Sequence, residues 1–244
     1  MPRLIVTRPA PQAAGWVTQL RSRGVDALAV PLIEIAAAAD LEPIRAAWAG
    51  LAARRLVVFV SANAVLQFFA ARPEAAPWPA GLLAAAPGPG TAAVLRAAGI
   101  DAAGVIEPTD AAAPLDSEAL WARLAGYDWH GASVLVVRGD GGREWLAERL
   151  AAAGASVDAV AAYARLVPVF DAEARRVVDA AAADPAAWVW LFSSAEAIGN
   201  LEAMAGAGRW SAAVAIATHP RIAARARQAG FAVVREARPD LDDV

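Results

Sequence analysis

Two arginines, Arg138 and Arg143, bracket the run Gly139-Asp140-Gly141-Gly142, directly after the apolar stretch Val134 to Val137. Four consecutive β-branched or apolar residues suit a parallel strand covered on both faces. The glycines permit positive φ and let backbone N–H groups converge. Arg143 is expected to open a helix through Trp145, Leu146 and Leu150. A strand that ends in a glycine turn at a helix N-terminus is a ready anion site, because orphan N–H donors and the helix dipole point at the ligand. The competing reading is a tight strand-to-helix connection with solvated arginines.

Hydroxyl, amide and guanidinium groups recur at equivalent places along the chain. Arg8 follows the strand Leu4 to Val6. Ser61 and Asn63 follow Leu56 to Val60, Thr91 follows Gly88-Pro89-Gly90, and Ser117 stands in Asp116-Ser117-Glu118. Ser193 and Ser194 follow Trp188 to Phe192, and Thr218 follows Val214 to Ala217. Each is equally readable as a helix cap or turn residue. Of the two tyrosines, Tyr163 closes the strand Val157 to Tyr163, and Tyr127 sits in a loop before His130. The two histidines, His130 and His219, are far apart, and cysteine is absent. No metal site is expected.

The elements that position these groups alternate between strand and helix. Helices are expected at about 11–23, stopped by Gly24, and at about 41–53. Others begin at Ser61 and at Asp116, one runs from the Gly88-to-Thr91 turn to Gly99 and one spans about 171–183, followed by helices after Ser194 and up to Gln228. Further strands are expected at Ala27–Val30, Leu82–Ala86, Val105–Ile106 and Phe231–Val234. Loops are expected at Arg72–Pro79 and Thr109–Pro114. The tail from Arg238 is polar and reads as a helix fragment. Such alternation implies parallel sheets covered on both faces. About ten strands are too many for one small sheet. The segment from Val57 also resembles the segment from Val189: each is an apolar run, then serine, then an alanine-rich helix start. Two α/β domains follow, with chain crossings near Leu32–Ile35 and Arg165–Phe170. The expected boundaries are 1–35 plus 168–244 for a discontinuous first domain and 36–167 for the second.

Composition narrows the classes. At 244 residues the chain can bury full cores without disulfides. Net charge is −3, and every strong cation is an arginine, since lysine is absent. No basic stripe with interleaved aromatics supports nucleic-acid binding. No apolar run reaches the length of a membrane span, and the N-terminal apolar stretch is short for a signal peptide. A cytoplasmic monomer acting on a small molecule is expected.

The motifs taken together resemble the uroporphyrinogen-III synthase family. They are Val6 to Pro9, Pro31 to Ile35, Phe59 to Val65, Gly88 to Ala93, Asp116 to Leu120, Val137 to Glu144, Tyr163 to Arg165 and Phe192 to Ser194. Each is weak alone; their order and spacing span nearly the whole chain. The resemblance implies two flavodoxin-like parallel-sheet domains joined by a two-stranded connector, with the active site in the cleft between them. It implies cyclisation of the linear tetrapyrrole hydroxymethylbilane, with loss of water and inversion of the last pyrrole ring, and no cofactor. It assigns Tyr163 to assisting the departing hydroxyl. Arg8, Ser61, Asn63, Thr91, Ser117, Arg138, Gly139, Arg143, Ser193, Ser194 and Thr218 become candidates for binding the substrate carboxylates. The chain departs from the family pattern at Ile216 to Pro220, where Pro220 stands in place of an expected threonine and Thr218 or His219 is the available substitute.

Two other classes are compatible with parts of the chain. Gly88-x-Gly90-x-x-Ala93, with Glu107 downstream, fits a loose dinucleotide fingerprint. The weak alanine-rich strand before it, the stiff Pro89 and its mid-chain position argue against an oxidoreductase. A two-domain tetrapyrrole-binding protein without turnover shares every motif above.

Overall fold

Leu56, Val57, Val58 and Phe59 are all fully buried, and the reason is a sheet covered on both faces. Val57 and Phe59 point into one core with Trp48, Phe68, Leu135 and Val137. Leu56 and Val58 point into another with Leu124, Trp129, Val134, Val136 and Leu150. Alternation of side chains along a strand explains the division.

The computed structural model describes residues 2–74, 76–109 and 116–244. Ala75 of the expected loop 72–79 and residues 110–114 of the expected loop 109–114 lie outside the described residues. In chain order the elements are β1 (Arg3–Val6), α1 (Ala10–Ser22), β2 (Ala27–Ala29), β3 (Glu34–Ala37), α2 (Glu42–Ala49), β4 (Leu56–Phe59) and α3 (Ala62–Ala70). Then come β5 (Leu83–Ala85), α4 (Pro89–Ala97), β6 (Val105–Ile106), α5 (Ser117–Leu124), β7 (Ser133–Gly139), α6 (Trp145–Ala152) and β8 (Ser156–Leu166). The remainder is α7 (Ala172–Ala183), β9 (Trp188–Phe192), α8 (Ala195–Ala205), β10 (Val214–Ala217), α9 (Pro220–Gln228) and β11 (Val233–Glu236).

The chain divides into Met1–Glu34 with Leu166–Val244, and Ile35–Arg165. The first unit carries a five-stranded sheet ordered β11-β10-β9-β1-β2, whose neighbouring strands pair in parallel. Counted along the chain, this is the flavodoxin order 2-1-3-4-5. The second unit carries the six-stranded sheet β3-β8-β7-β4-β5-β6. Winding starts at β4, runs out through β5 and β6, then resumes on the other side with β7 and β8. Both crossings between units fall in β3 and β8, which are neighbours at one edge of that sheet.

Cores differ in composition. In the first unit Trp190 stacks parallel to Phe192 and edge-on to Trp210, and Phe231 closes the group against Phe192 and Trp210. The opposite face holds Leu4, Val6, Val17, Leu20 and Leu191, with Leu241 and Val244 of the tail packed against them. The tail forms turns instead of the expected helix fragment, anchored by Arg23 to Asp242 at 2.6 Å. In the second unit Trp48 stacks on Phe68, and Phe59, Phe69 and Trp78 complete the cluster.

Three sequence expectations are corrected. The last strand is Val233–Glu236, because Phe231 is drawn into the aromatic core before the strand begins. β7 continues through Arg138 and Gly139 by pairing with the long β8, so the glycine turn starts later than expected. The following helix begins at Trp145, and Arg143 precedes it, held by an ion pair to α5. No helix among the described residues is long and apolar enough to cross a membrane.

Candidate active site

Parallel α/β sheets place ligands beyond the carboxyl ends of their strands, where the winding reverses. In the second unit that point lies between β4 and β7, and Ser61 and Gly139 stand at their ends. Ser61 is extended and caps α3, its Oγ accepting from the Ala64 N–H at 3.2 Å. The same Oγ lies 3.1 Å from the Tyr163 Oη.

Tyr163 arrives there through an irregularity in the β7–β8 ladder. Arg138 pairs with Ala161, whereas Gly139 pairs with Tyr163, leaving Ala162 as an extra residue. Such a bulge re-aims a side chain. Strict alternation would send Ala162 and Tyr163 to opposite faces; instead both join the core that holds Val160. The Tyr163 ring then covers Gly139. A Cβ at position 139 would stand 2.8 Å from Tyr163 Cε2 and Cζ and 3.2 Å from its Oη. Tyr163 is 4% exposed, which leaves only a narrow opening for contact with a ligand. Asp140 fastens the bulge: its N–H donates to the Tyr163 carbonyl at 2.8 Å, and its Oδ1 accepts from the Arg165 N–H at 3.1 Å. Arg165 Nη2 returns a bond to the Asp140 carbonyl at 3.1 Å.

The arginines flanking the glycine turn are already paired. Arg143 grips Glu118 of α5 with two parallel bonds of 2.7 and 2.8 Å. Those bonds, aided by the charges of Glu118 and Asp116 against some desolvation, raise its pKa. Arg138 meets Glu144 at 3.1 Å. Gly141 and Gly142 take φ of 68° and 108°, as the turn requires. Asn63 lies inside the first turn of α3, where sequence alone left it as a possible cap. Ser117 opens α5, but Asp116 supplies the cap, accepting from the Ala119 N–H at 3.0 Å. Thr91 is buried in the first turn of α4 behind Gly88.

In the first unit the winding reverses between β1 and β9. Thr7 is buried and donates to the Leu191 carbonyl at 2.7 Å, tying the two strand ends together. Arg8 follows, its guanidinium 4.1 Å above the Trp16 ring centroid. Its buried Nε has no hydrogen-bond partner among the described residues. Desolvation lowers its pKa to about 10, so it stays cationic at neutral pH. Beyond β9, the buried Ser193 Oγ also lacks a partner among the described residues. Ser194 caps α8, accepting from the Glu196 N–H at 3.2 Å. Thr218 donates its N–H to the Phe192 carbonyl at 3.0 Å. His219 caps α9, Nδ1 accepting from the Arg221 N–H at 3.1 Å, and Pro220 takes the first helical turn. Proline fits there because that N–H has no intrahelical acceptor. The unexpected proline is therefore a helix start, with His219 as its cap.

The pairing of Ser61 with Tyr163 and the seat at Gly139 were not separable from the sequence. Both depend on the bulge, for which Ala161-Ala162-Tyr163 carries no local signal.

The family described as uroporphyrinogen-III synthase HemD matches residues 14–244. A uroporphyrinogen-III synthase of Salmonella typhimurium is 33% identical over 172 residues, covering 69% of this chain and 67% of that protein. Two solved structures share the fold. A mutant uroporphyrinogen III synthase of Thermus thermophilus superposes with a TM-score of 0.60 at 18% identity, over 97% of this chain and 93% of that one. Uroporphyrinogen-III synthetase of Helicobacter pylori 26695 gives 0.60 at 15% identity, over 99% and 95%. On this match, with an α/β fold built on parallel strand pairs in both units, the chain belongs to the uroporphyrinogen-III synthase family.

Proposed function

We propose that Tyr163 is the catalytic residue and that this family's reaction runs at the carboxyl ends of the strands described above. The family converts linear hydroxymethylbilane to uroporphyrinogen III with loss of water and inversion of the last ring. The terminal hydroxyl must leave, generating an azafulvene cation. Tyr163 donates a hydrogen bond to that hydroxyl, and the hydroxyl departs as water once it has gained a proton. For the ring to invert, the substituted α-carbon of the last pyrrole attacks the azafulvene carbon, and its existing bond to the bridging methylene breaks. That methylene re-bonds to the ring's free α-carbon with release of one proton. This proton replaces the one taken up by the leaving hydroxyl, so atoms and charge balance without an oxidant or reductant. The observation that carries this reading is the Tyr163 hydroxyl, fixed 3.1 Å from Ser61 where β4 meets β7.

The bilane bears acetate and propionate groups. Arg8 is the strongest candidate for one of them, because it is cationic, desolvated and without an acidic partner among the described residues. Asn63, Thr91, Ser117, Ser193, Ser194 and Thr218 supply further donors at strand ends or in the first turns of helices. Arg138 and Arg143 contribute only if they exchange Glu144 and Glu118 for substrate. The bilane closes without enzyme to the uninverted isomer, so much of the catalysis is conformational, holding the chain so that the inverting attack wins.

The test is a product assay. Freshly generated hydroxymethylbilane is incubated with the protein, the products are oxidised, and type I and type III isomers are separated. Type III above the no-enzyme control is expected. Only type I, from folded protein, would leave a tetrapyrrole-binding role without turnover. We further propose a cytoplasmic monomer. Apart from Leu166, Val167 and Val169 at one crossing, the exposed large apolar side chains are scattered over separate elements. Light scattering on the purified chain should return a mass near 25.1 kDa.

A further inference from the structure

We propose that Ser61 and Gly139 are positioning residues that act through Tyr163, Ser61 by fixing the phenol oxygen and Gly139 by leaving the space the ring occupies. The inference rests on the reading of Tyr163 as the group that assists the departing hydroxyl.

The ring is restrained at two points. Its face lies where a Cβ of residue 139 would be, at 2.8 Å, closer than real Cβ atoms approach other atoms. The neighbour that would have to yield is a ring on a strand pinned by Asp140, not the free end of a flexible chain. Backbone conformation at Gly139 is not left-handed, so alanine is barred there by the ring alone. The oxygen is restrained by Ser61 Oγ, which is itself fixed by accepting from the Ala64 N–H. Ser61 Oγ therefore has two neighbours before any ligand arrives. This suits a group that sets an angle better than one that binds a carboxylate.

Double-mutant cycles separate the roles, with kcat and KM for type III formation as readouts. Ser61→Ala is expected to lower kcat about as much as Tyr163→Phe does, with KM changed less than about threefold, and to add nothing in the Tyr163→Phe background. Gly139→Ala is expected to lower kcat similarly and to add nothing in a Tyr163→Ala background, where the ring is gone. Ser61→Thr keeps both hydroxyl and cap, and should restore kcat. Losses that multiply, or a Ser61→Ala effect confined to KM, would overturn the proposal.

A second readout is independent of turnover. The chain has two tyrosines, so ring-labelled tyrosine gives two NMR signals, assigned with Tyr127→Phe. Ser61→Ala and Gly139→Ala should each move the Tyr163 signal, and Ser61→Thr should leave it in place. An unmoved signal in folded variants defeats the seat whatever the activity. A moved signal in a protein that forms no type III isomer keeps the seat and defeats the functional reading instead.

Discussion

A buried cation with no acid partner among the described residues, and a phenol held beside the Ser61 hydroxyl, carry the residue-scale predictions. Burial lowers Arg8 to about 10, below the usual range of a guanidinium. The unfolded chain thus holds this proton more tightly than the folded one. The burial penalty is complete below about pH 10 and is relieved as pH rises above it. Arg8→Met removes the penalty at neutral pH but also the stack on Trp16, a loss of about 0.5–2 kcal/mol. The two effects oppose each other, so the melting temperature should move by less than about 3 °C. KM for the bilane should rise roughly ten- to a hundredfold, as for loss of a hydrogen bond to a charged group. An unchanged KM would remove Arg8 from the site. Tyr163→Phe should lower the rate of type III formation by about tenfold or more without abolishing it, since the substrate is intrinsically reactive. Complete loss in a folded variant would make the phenol an obligate acid.

Among the elements, helix starts are set by short polar contacts. Asp171 caps α7, its Oδ1 accepting from the Ala174 N–H at 2.7 Å. Asp171→Ala should therefore lower stability by about 1 kcal/mol, or a few degrees in melting temperature. Glu118→Gln breaks the bidentate pair to Arg143, but both side chains are more than 40% exposed. Its effect should be smaller, below about 1 kcal/mol. The reverse ranking in thermal melts would mean the Arg143 pair is structural. The caps at Ser61, Asp116 and Ser194 were legible in the sequence because serine or aspartate stands directly before a helical run, whereas the cap at His219 was not read. The buried strands were legible for a similar reason, since Leu56–Phe59 and Trp188–Phe192 are apolar without interruption. What could not be read was contact across strands. The shift at Gly139 inverts the facing of Tyr163 with no change in composition, and the partners of Arg138 and Arg143 depend on which helices lie alongside. The register of β11 was missed because Phe231 serves the aromatic core and not the strand.

At the scale of the whole molecule, each unit has its own sheet and its own core. Residues 35–165 expressed alone should unfold in urea as one cooperative transition, because both faces of the six-stranded sheet are covered from within that segment. Gradual, non-cooperative loss of signal would contradict this. Trp190→Ala should destabilise the first unit by about 3–5 kcal/mol. Hydrogen-exchange protection of β4 and β7 should be unaffected by it. The two crossings through β3 and β8 also impose an order on biosynthesis. β1 lies between β2 and β9, and β9 leaves the ribosome only after the entire inserted unit. The nascent chain therefore carries an apolar strand pair with an open edge while its neighbour folds to completion. For that interval Leu4, Ile5 and Val6, fully or nearly buried in the finished protein, are the segment most in need of a chaperone.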